Sequence, residues 1–443
     1  MLGNRGGGRD CIPITHGAGL LKVEVKGTNV TWVLPNGTIR TNQTILNEIV
    51  TAGTTYCFVN SLIEYGYFKI YEETTSFIYS LDLKSFQGKL KDTFSAYIIP
   101  TTNLTLTGDL KDLGGRGNIL YTSNASKLTG GLSDLSQTLT QLRLQGGAQI
   151  KGNLSSISNM SLTTAWFTGC SSLEGALSSI PKTVTWLSLM NCPKVEGSLA
   201  DLKTITNNSI VYEIYMDYCT KILGSLADLG GKVTRTLSLR DCGNITGKLS
   251  DLQGKLTYRL SLGRSTGNWT NVTGDLSDLQ SKLTCYLDLS GCVEITGDIS
   301  SLGNKITDVV NLASCSKITG NIASLSNVGT TLNLYNCPLV YGDLASLSNT
   351  TTQKSKITNM IILNTSGITG VFKANSLTKY IYLYGTGQSP SEVDATLIAL
   401  DNVTPMGASG RVISVNNRTS TSDGAVASLK SKNWQVKVNG TTV

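Results

Sequence analysis

Residues Thr273–Leu347 read TGDLSDLQSKLTCYLDLSGCVEITGDISSLGNKITDVVNLASCSKITGNIASLSNVGTTLNLYNCPLVYGDLASL. In this stretch the element G-x-[LI]-x-x-L returns at Gly274, Gly297, Gly320 and Gly342, at intervals of 23, 23 and 22 residues. Each period also carries L-x-L or a close variant, a cysteine three residues later, then an aliphatic residue and the next glycine. A fixed period with a fixed apolar pattern predicts a repeat architecture, because one such unit cannot bury its apolar face alone and stacks on its neighbours. Working outward, Gly88, Gly108, Gly130, Gly152, Gly175, Gly197, Gly224, Gly247 and Gly370 continue the series. Three intervals stretch to 27, 27 and 28 residues, with insertions near Thr206 to Ile210, Ser265 to Thr270 and Asn349 to Ser355. Insertions that leave the flanking register intact belong on loops of the coil.

Each period is expected to place one short strand in a parallel sheet, its leucines inward and the intervening residues outward. The return path, for example DLSDLQSK, has too few residues for an ordinary helix. Its L-[SA]-D-L aspartates, Asp134, Asp201, Asp228, Asp251 and Asp278, are expected to accept backbone N–H groups in turns. A calcium ladder is the alternative. Serine replaces the aspartate in LSSI, ISSL and IASL, and serine lacks the charge that a hard cation prefers.

Seven of the ten cysteines, Cys170, Cys192, Cys219, Cys242, Cys292, Cys315 and Cys337, share one repeat position. Stacked at strand spacing, about 4.8 Å, they are close enough for disulfides to be considered. A free cysteine is also a small buried hydrophobe with a weak S–H donor, and a reduced thiol ladder is the expected structural spine. Cys11, Cys57 and Cys285 stand off the ladder and have no metal-type spacing.

The consensus L-x-x-(x)-L-x-L-x-x-C-x-x-[IL]-x-G-x-[LI]-x-x-L, over roughly residues 81–385, resembles the leucine-rich repeat family, with cysteine in the family's asparagine-ladder position. The resemblance implies a repeat solenoid, a right-handed coil with a long parallel β-sheet on its concave side. The proline that usually follows the G-x-[IL] element is absent, which leaves helices, 3-10 turns or extended segments open for the return side. The C-terminal motif DGAVASLKSKNWQVKVNG resembles the terminal segment of leucine-rich-repeat proteins of gut Bacteroidetes and their bacteriophages.

The ends of the chain are written differently. Residues 1–19 form a Gly-rich, irregular arm by composition. Residues 20–80 lack the repeat and read as a β-rich capping or docking module, with one short helix over Asn42 to Thr51. The solenoid is expected over 81–388. Over 389–443, Ser389-Pro390-Ser391-Glu392 is a capping box opening a helix to about Asn402. A strand RVISV, a helix SDGAVASLKSK and a strand WQVKV follow, giving an α/β cap that covers the last coil's open edge.

A net charge of +7 over 443 residues is mild, and its lysines and arginines form no stripe, so no nucleic-acid partner is expected. No apolar run approaches the roughly 20 residues of a membrane span. The N-terminus carries no apolar core of a secretory signal, so the chain is expected to be cytosolic when made or released by another route, such as a virus particle. His16 is the single histidine and lies in the Gly-rich arm, a poor place to preorganise a nucleophile–base pair. No two carboxylates stand out as a glycosidase pair. Neither an enzyme nor a cofactor or metal is expected.

A binding face is easier to argue. The outward positions of the L-x-L strands include Gln141, Arg143, Thr164, Trp166, Trp186, Glu213, Tyr215, Arg240, Tyr286, Asp288, Tyr335 and Tyr382. Of these, Trp166, Trp186, Tyr215, Arg240, Tyr286, Asp288, Tyr335 and Tyr382 are the candidate ligand contacts. Trp166, Trp186 and Tyr215 fall on three consecutive coils, where large amphipathic rings beside small polar residues suit a partner protein or a sugar. Alternatively the rings stack on one another and stabilise the sheet. The expected function is a structural and interaction protein of a bacteriophage virion, a fibre, receptor-binding or decoration protein. It would be attached to other virion proteins through residues 1–80, within a homo-oligomer or larger assembly, and would face a host surface protein or glycan. The alternatives are a bacterial cell-surface adhesin and, behind it, a glycan-active enzyme.

Overall fold

The structure is a computed structural model that describes residues 11–16, 18–25, 27–28, 30–58, 61–62, 67–70, 78–86, 95–98, 104–122, 125–206, 211–267, 271–347, 357–374, 378–403 and 410–443. The chain divides into two compact units, Met1–Ile222 and Leu223–Val443. The same local build recurs in both. In the first unit the main strands Gln141–Leu144, Thr164–Trp166, Trp186–Ser188 and Val211–Tyr215 pair in parallel, one repeat onto the next. In the second, Arg259–Ser261, Tyr286–Asp288, Val309–Asn311, Thr331–Asn333, Asn359–Ile361 and Tyr380–Tyr382 do the same. Register is kept within each unit, so Leu142 stacks on Ala165 and Ala165 on Leu187, and Leu287 on Val310 and Val310 on Leu332, all buried. Within each unit the repeats stack as successive turns of a solenoid-like, mostly β coil.

The return path is a short strand followed by a 3-10 turn. Return strands form a second parallel sheet, such as Val272–Asp275, Glu294–Asp298, Ile318–Asn321 and Val340–Asp343. One turn of 3-10 helix, such as Leu276–Leu279 or Ile299–Leu302, then leads toward the next main strand. The repeat glycine permits this tight return. Gly274 has φ +120°, and a Cβ there would meet the Leu249 backbone N of the coil before at 2.9 Å. Both the dihedral and the approach require a residue without a side chain.

The aspartates of the turns do what their spacing suggests. Asp134, Asp201, Asp228, Asp251 and Asp278 accept the backbone N–H three residues earlier, at 2.7–3.2 Å. The residue before the turn accepts a second N–H, two residues on: Asn153, Asp298 and Asn321 do so at 2.8–2.9 Å where serine replaces the aspartate, and Ser198, Ser225 and Asp275 at 2.9–3.2 Å where the aspartate is kept. Asp/Ser interchange therefore touches only the first of these two hydrogen bonds. Asp275 and Asp278 serve one turn together, and the Ser277 N–H first of all holds the Asp275 carboxyl below its usual range.

The seven ladder cysteines are free and buried. Five of the thiols donate at close range to a carbonyl of the preceding coil: Cys170 to Leu144 at 2.9 Å, Cys192 to Phe167 at 3.1 Å, Cys219 to Leu189 at 2.8 Å, Cys315 to Leu289 at 3.1 Å and Cys337 to Leu312 at 3.0 Å. Cys292 reaches Leu262 at a longer 3.8 Å. Thr365 holds the equivalent place one coil further on and donates to Leu334 at 3.0 Å.

At the N-terminal end both sheets are extended by antiparallel strands. Cys11–His16 pairs with Gly53–Phe58 and with Ile78–Asp82, which in turn pairs in parallel with Leu104–Asp109. Residues 11–16 are therefore a strand and not part of an irregular arm. Ile12, Ile14 and His16 alternate inward, and the buried His16 Nε2 meets Thr55 Oγ1 at 2.8 Å. Residues 1–10 and the Gly88 position lie outside the described residues. So do residues 207–210, 268–270 and 349–355, which hold most of the three insertions. The expected helix over 42–51 is also corrected: Ile45–Val50 is a strand antiparallel to Gly19–Val25. The i,i+4 spacing of Ile45 and Ile49 mimics a helix face, yet Leu46 and Val50 are the buried pair, and Ile49 is 86% exposed. At the other end, Pro390–Val403 is a helix whose Ser389 N–H donates to Glu392 Oε2 at 2.7 Å. Arg411–Val415 and Trp434–Val438 add in parallel to Tyr380–Tyr382, with the helix Asp423–Ser431 between them.

Two outcomes follow from the ladder and the turns. Cys315→Thr keeps a donor to Leu289, as Thr365 does naturally, whereas Cys315→Leu overfills the seam. Thermal melts should show the leucine variant lower, by about 1–3 kcal/mol of stability. In the turn, Asp275→Ala should cost about 1 kcal/mol at pH 7. Because folding depresses the Asp275 pKa, its contribution is full above the unfolded carboxylate value, about 4, and fades as pH falls through the folded value. The gap between Asp275→Ala and the parent in denaturant midpoint should therefore shrink toward pH 2.5. Asp275→Asn, which keeps an acceptor, should sit near the parent at pH 7. A gap that stays constant with pH would disprove the charged cap.

Candidate binding site

Parallel, in-register pairing turns outward residues into rows, with neighbours about 4.8 Å apart. In the first unit one row runs Tyr121, Arg143, Trp166, Ser188, Tyr215. The next runs Ile119, Gln141, Thr164, Trp186, Glu213. A third, just before the strands, brings Thr163 and Thr185 together through the Thr185 N–H to Thr163 O bond at 2.9 Å. Thr164 is short and stands between the long Gln141 and Trp186. A cavity of about 410 Å³ opens above it, with Tyr121, Arg143 and Trp166 on one side and Thr163 and Thr185 on the other. Gln141 closes one end, and Trp186 and Glu213 the other.

The walls are held by contacts within the sheet face. The Arg143 guanidinium lies 4.9 Å from the Trp166 ring centroid. Tyr215 approaches Trp166 at 5.3 Å and 53°, across the small, buried Ser188 that separates them in the row. Trp186 meets Tyr212 at 5.9 Å and 35°. The Tyr121 hydroxyl donates to Gln141 Oε1 at 2.9 Å, which leaves the Gln141 amide N–H groups for the cavity. Glu213 is 4% exposed. Arg143 donates through one Nη to Gln145 Oε1 at 3.3 Å, and its buried Nε has no hydrogen-bond partner.

Of the eight candidates, Trp166 and Trp186 line this cavity. Tyr215 is not in the lining and meets the Trp166 ring instead, a contact of the kind the alternative reading expects. The other five lie in the second unit. Asp288 is fully buried. Its Oδ1 accepts the Ser290 N–H and O–H at 3.0 and 2.7 Å, and its Oδ2 pairs with Arg240 at 3.3 Å. That ion pair ties coils together and leaves Asp288 no surface for a ligand. Tyr286 lies under the Arg259 guanidinium at 3.7 Å. Tyr335 is 36% exposed and Tyr382 half-buried, on coils nearer the C-terminus. Sequence reasoning missed Tyr121, Thr163 and Thr185. In ILYT, Thr122 replaces the second leucine of the strand motif, which hides Tyr121 from a search for L-x-L. A threonine directly before the strand, as in Thr163-Thr164 and Thr185-Trp186, was the signal for the other two.

Burial holds six of the ladder thiols away from the thiolate form. Burial pushes the Cys170, Cys219 and Cys337 thiols up to about 12, and Cys192, Cys292 and Cys315 are raised by burial as well. At neutral pH these groups are protonated donors, while nucleophiles and metal ligands are thiolates. Among the described residues no group of three or more His, Cys, Asp or Glu is arranged to hold a metal ion. No described helix is long and apolar enough to cross a membrane. No protein-family model matches the chain, and no curated protein matches it in sequence.

The stacking of Trp166 on Tyr215 is measurable. A double-mutant cycle of Trp166→Ala and Tyr215→Ala, read from urea midpoints, should give a coupling of about 0.5–1.5 kcal/mol. Additive single effects would show that the two rings do not support each other.

Proposed function

We propose that this protein is a non-enzymatic binding module of the leucine-rich-repeat type, which holds its ligand in the cavity above Thr164. The observation that carries this is the cavity itself: a single short residue in a row of long ones, with two indoles, a phenol and a guanidinium around it on rigid strands. Its volume falls in the range of ligand pockets, and rigid aromatic walls with a few directional polar groups suit recognition. One carboxylate, Glu213, lines it among the described residues, whereas glycoside hydrolysis ordinarily needs two.

The setting we propose is a bacteriophage particle, with the N-terminal strands on the virion side and the main-sheet face turned to the host. It rests on the resemblance of the C-terminal segment to phage and Bacteroidetes repeat proteins. Mass spectrometry of purified virions tests it, and a chain absent from particles would leave the adhesin reading in its place.

The site has its own test. Thr164→Trp fills the cavity at a half-buried position without touching the inward leucines. Immobilised parent protein should retain a component of a solubilised bacterial envelope fraction, and the Thr164→Trp variant, with an unchanged thermal melt, should retain at least tenfold less. Equal retention by a folded Thr164→Trp would exclude this cavity as the binding site.

A further inference from the structure

Arg143 differs from the other arginines whose ion pairs define their surroundings. Arg40 pairs with Glu48, Arg240 with Asp288 and Asp241, and Arg418 with Asp423. Arg143 has no carboxylate within ion-pair distance among the described residues; it makes one neutral hydrogen bond of 3.3 Å and lies over an indole. The cation–π contact with Trp166 at 4.9 Å and the hydrogen bond to Gln145 together hold the guanidinium at the cavity wall. A fixed, uncompensated guanidinium is matched best by a planar carboxylate that takes two parallel N–H bonds.

The rest of the lining narrows the class of ligand. It holds no aliphatic side chain, so an apolar anchor of a partner polypeptide gains little there. A cationic guest is opposed by Arg143. Hydroxyl-bearing, carboxamide and carboxylate side chains around aromatic rings suit a molecule that presents both C–H faces and many hydroxyls. Trp186 provides an indole whose ring is braced by Tyr212, and the Gln141 amide is oriented by Tyr121. Glu213 stands three strands from Arg143, at the opposite end, where a carboxylate disfavours a second anion.

Resting on the binding reading given above, we propose that the cavity takes an acidic saccharide, one ring against Trp186 and a sugar carboxylate at Arg143. The polarity of the two ends fixes the direction in which the chain lies.

Titration calorimetry on the full-length protein tests this with matched probes. Acidic tetrasaccharides (an oligogalacturonate, a hyaluronan fragment, an oligosialic acid) are compared with cellotetraose and maltotetraose, and with inorganic phosphate alone. At least one acidic probe should bind at least about tenfold more tightly than the neutral ones, as expected for a charge-assisted bidentate contact. Arg143→Gln should bring that ratio to near one, Arg143→Lys should restore part of it, and Trp186→Ala should abolish saccharide binding. Thermal melts identify variants that fail to fold, and Arg143→Lys keeps the test alive if Arg143→Gln is among them. Equal affinity for acidic and neutral probes, an acidic preference that survives in Arg143→Gln, phosphate binding as tight as the sugar, or no saccharide binding at all would each overturn the proposal. The binding reading fails separately: if Thr164→Trp still loses envelope retention while no saccharide binds, the site stands and only the ligand class is wrong.

Discussion

Within each unit, the in-register parallel pairing of a main strand with the strand one repeat later is the constraint on which the other features depend. Pairing in register puts leucine over leucine and cysteine near the carbonyl of the coil before, so core and seam are built by the same alignment. A slip of one residue would send every inward leucine outward. The ladder residue guards against this. A thiol that donates at 2.8–3.1 Å to one particular carbonyl is satisfied in one register only. Thr365 shows that the requirement is a small buried donor and not sulfur as such.

The same alignment explains how a repetitive chain obtains a non-repetitive site. Inward positions are interchangeable among leucine, isoleucine, valine and alanine, because each coil needs only to fill the same slot. Outward positions are free of that demand, and their rows sample whatever residues the repeats carry. Two short residues matter most. Ser188 lets Trp166 and Tyr215 meet across a coil, and Thr164 leaves the space that the long side chains beside it enclose. A site on this face is made by where bulk is omitted as much as by where it is placed.

Much of this was legible in the sequence. The period and the inward leucines follow from a pattern repeated about a dozen times, the buried cysteines from one that recurs seven times and the turn aspartates from one that recurs five times, and the C-terminal cap followed from one capping box and two short helices. The misreadings fall where the pattern occurs once. Over Asn42 to Thr51 the spacing of Ile45 and Ile49 is compatible with a helix, and only pairing with Gly19–Val25 decides for a strand. His16 reads as an arm residue beside glycines, yet its alternation with Ile12 and Ile14 buries it. The rows of the main face were visible in outline, since Trp166, Trp186 and Tyr215 came from strand spacing alone. What spacing could not give was which of them stack, because ring contacts depend on the gap at Ser188, nor that Asp288 turns to Arg240 and Ser290 and is lost to the surface.

Comparing two arginine–aromatic pairs of the outward faces shows why one place and not another is suited to a ligand. Arg259 lies 3.7 Å from the Tyr286 ring, a close pair whose members cover each other, and the adjoining row is closed by the Arg240–Asp288 ion pair. Charge and aromatic surface are there spent on the coil itself. Around Thr164 the equivalent groups are separated. Arg143 covers one indole, Trp186 belongs to the neighbouring row, and the carboxylate of Glu213 sits beyond it. Attraction between opposite charges falls with distance, so groups held apart on rigid strands cannot neutralise one another without breaking the register that holds them. A molecule of the kind proposed would span that gap, and the strand spacing sets how long it must be.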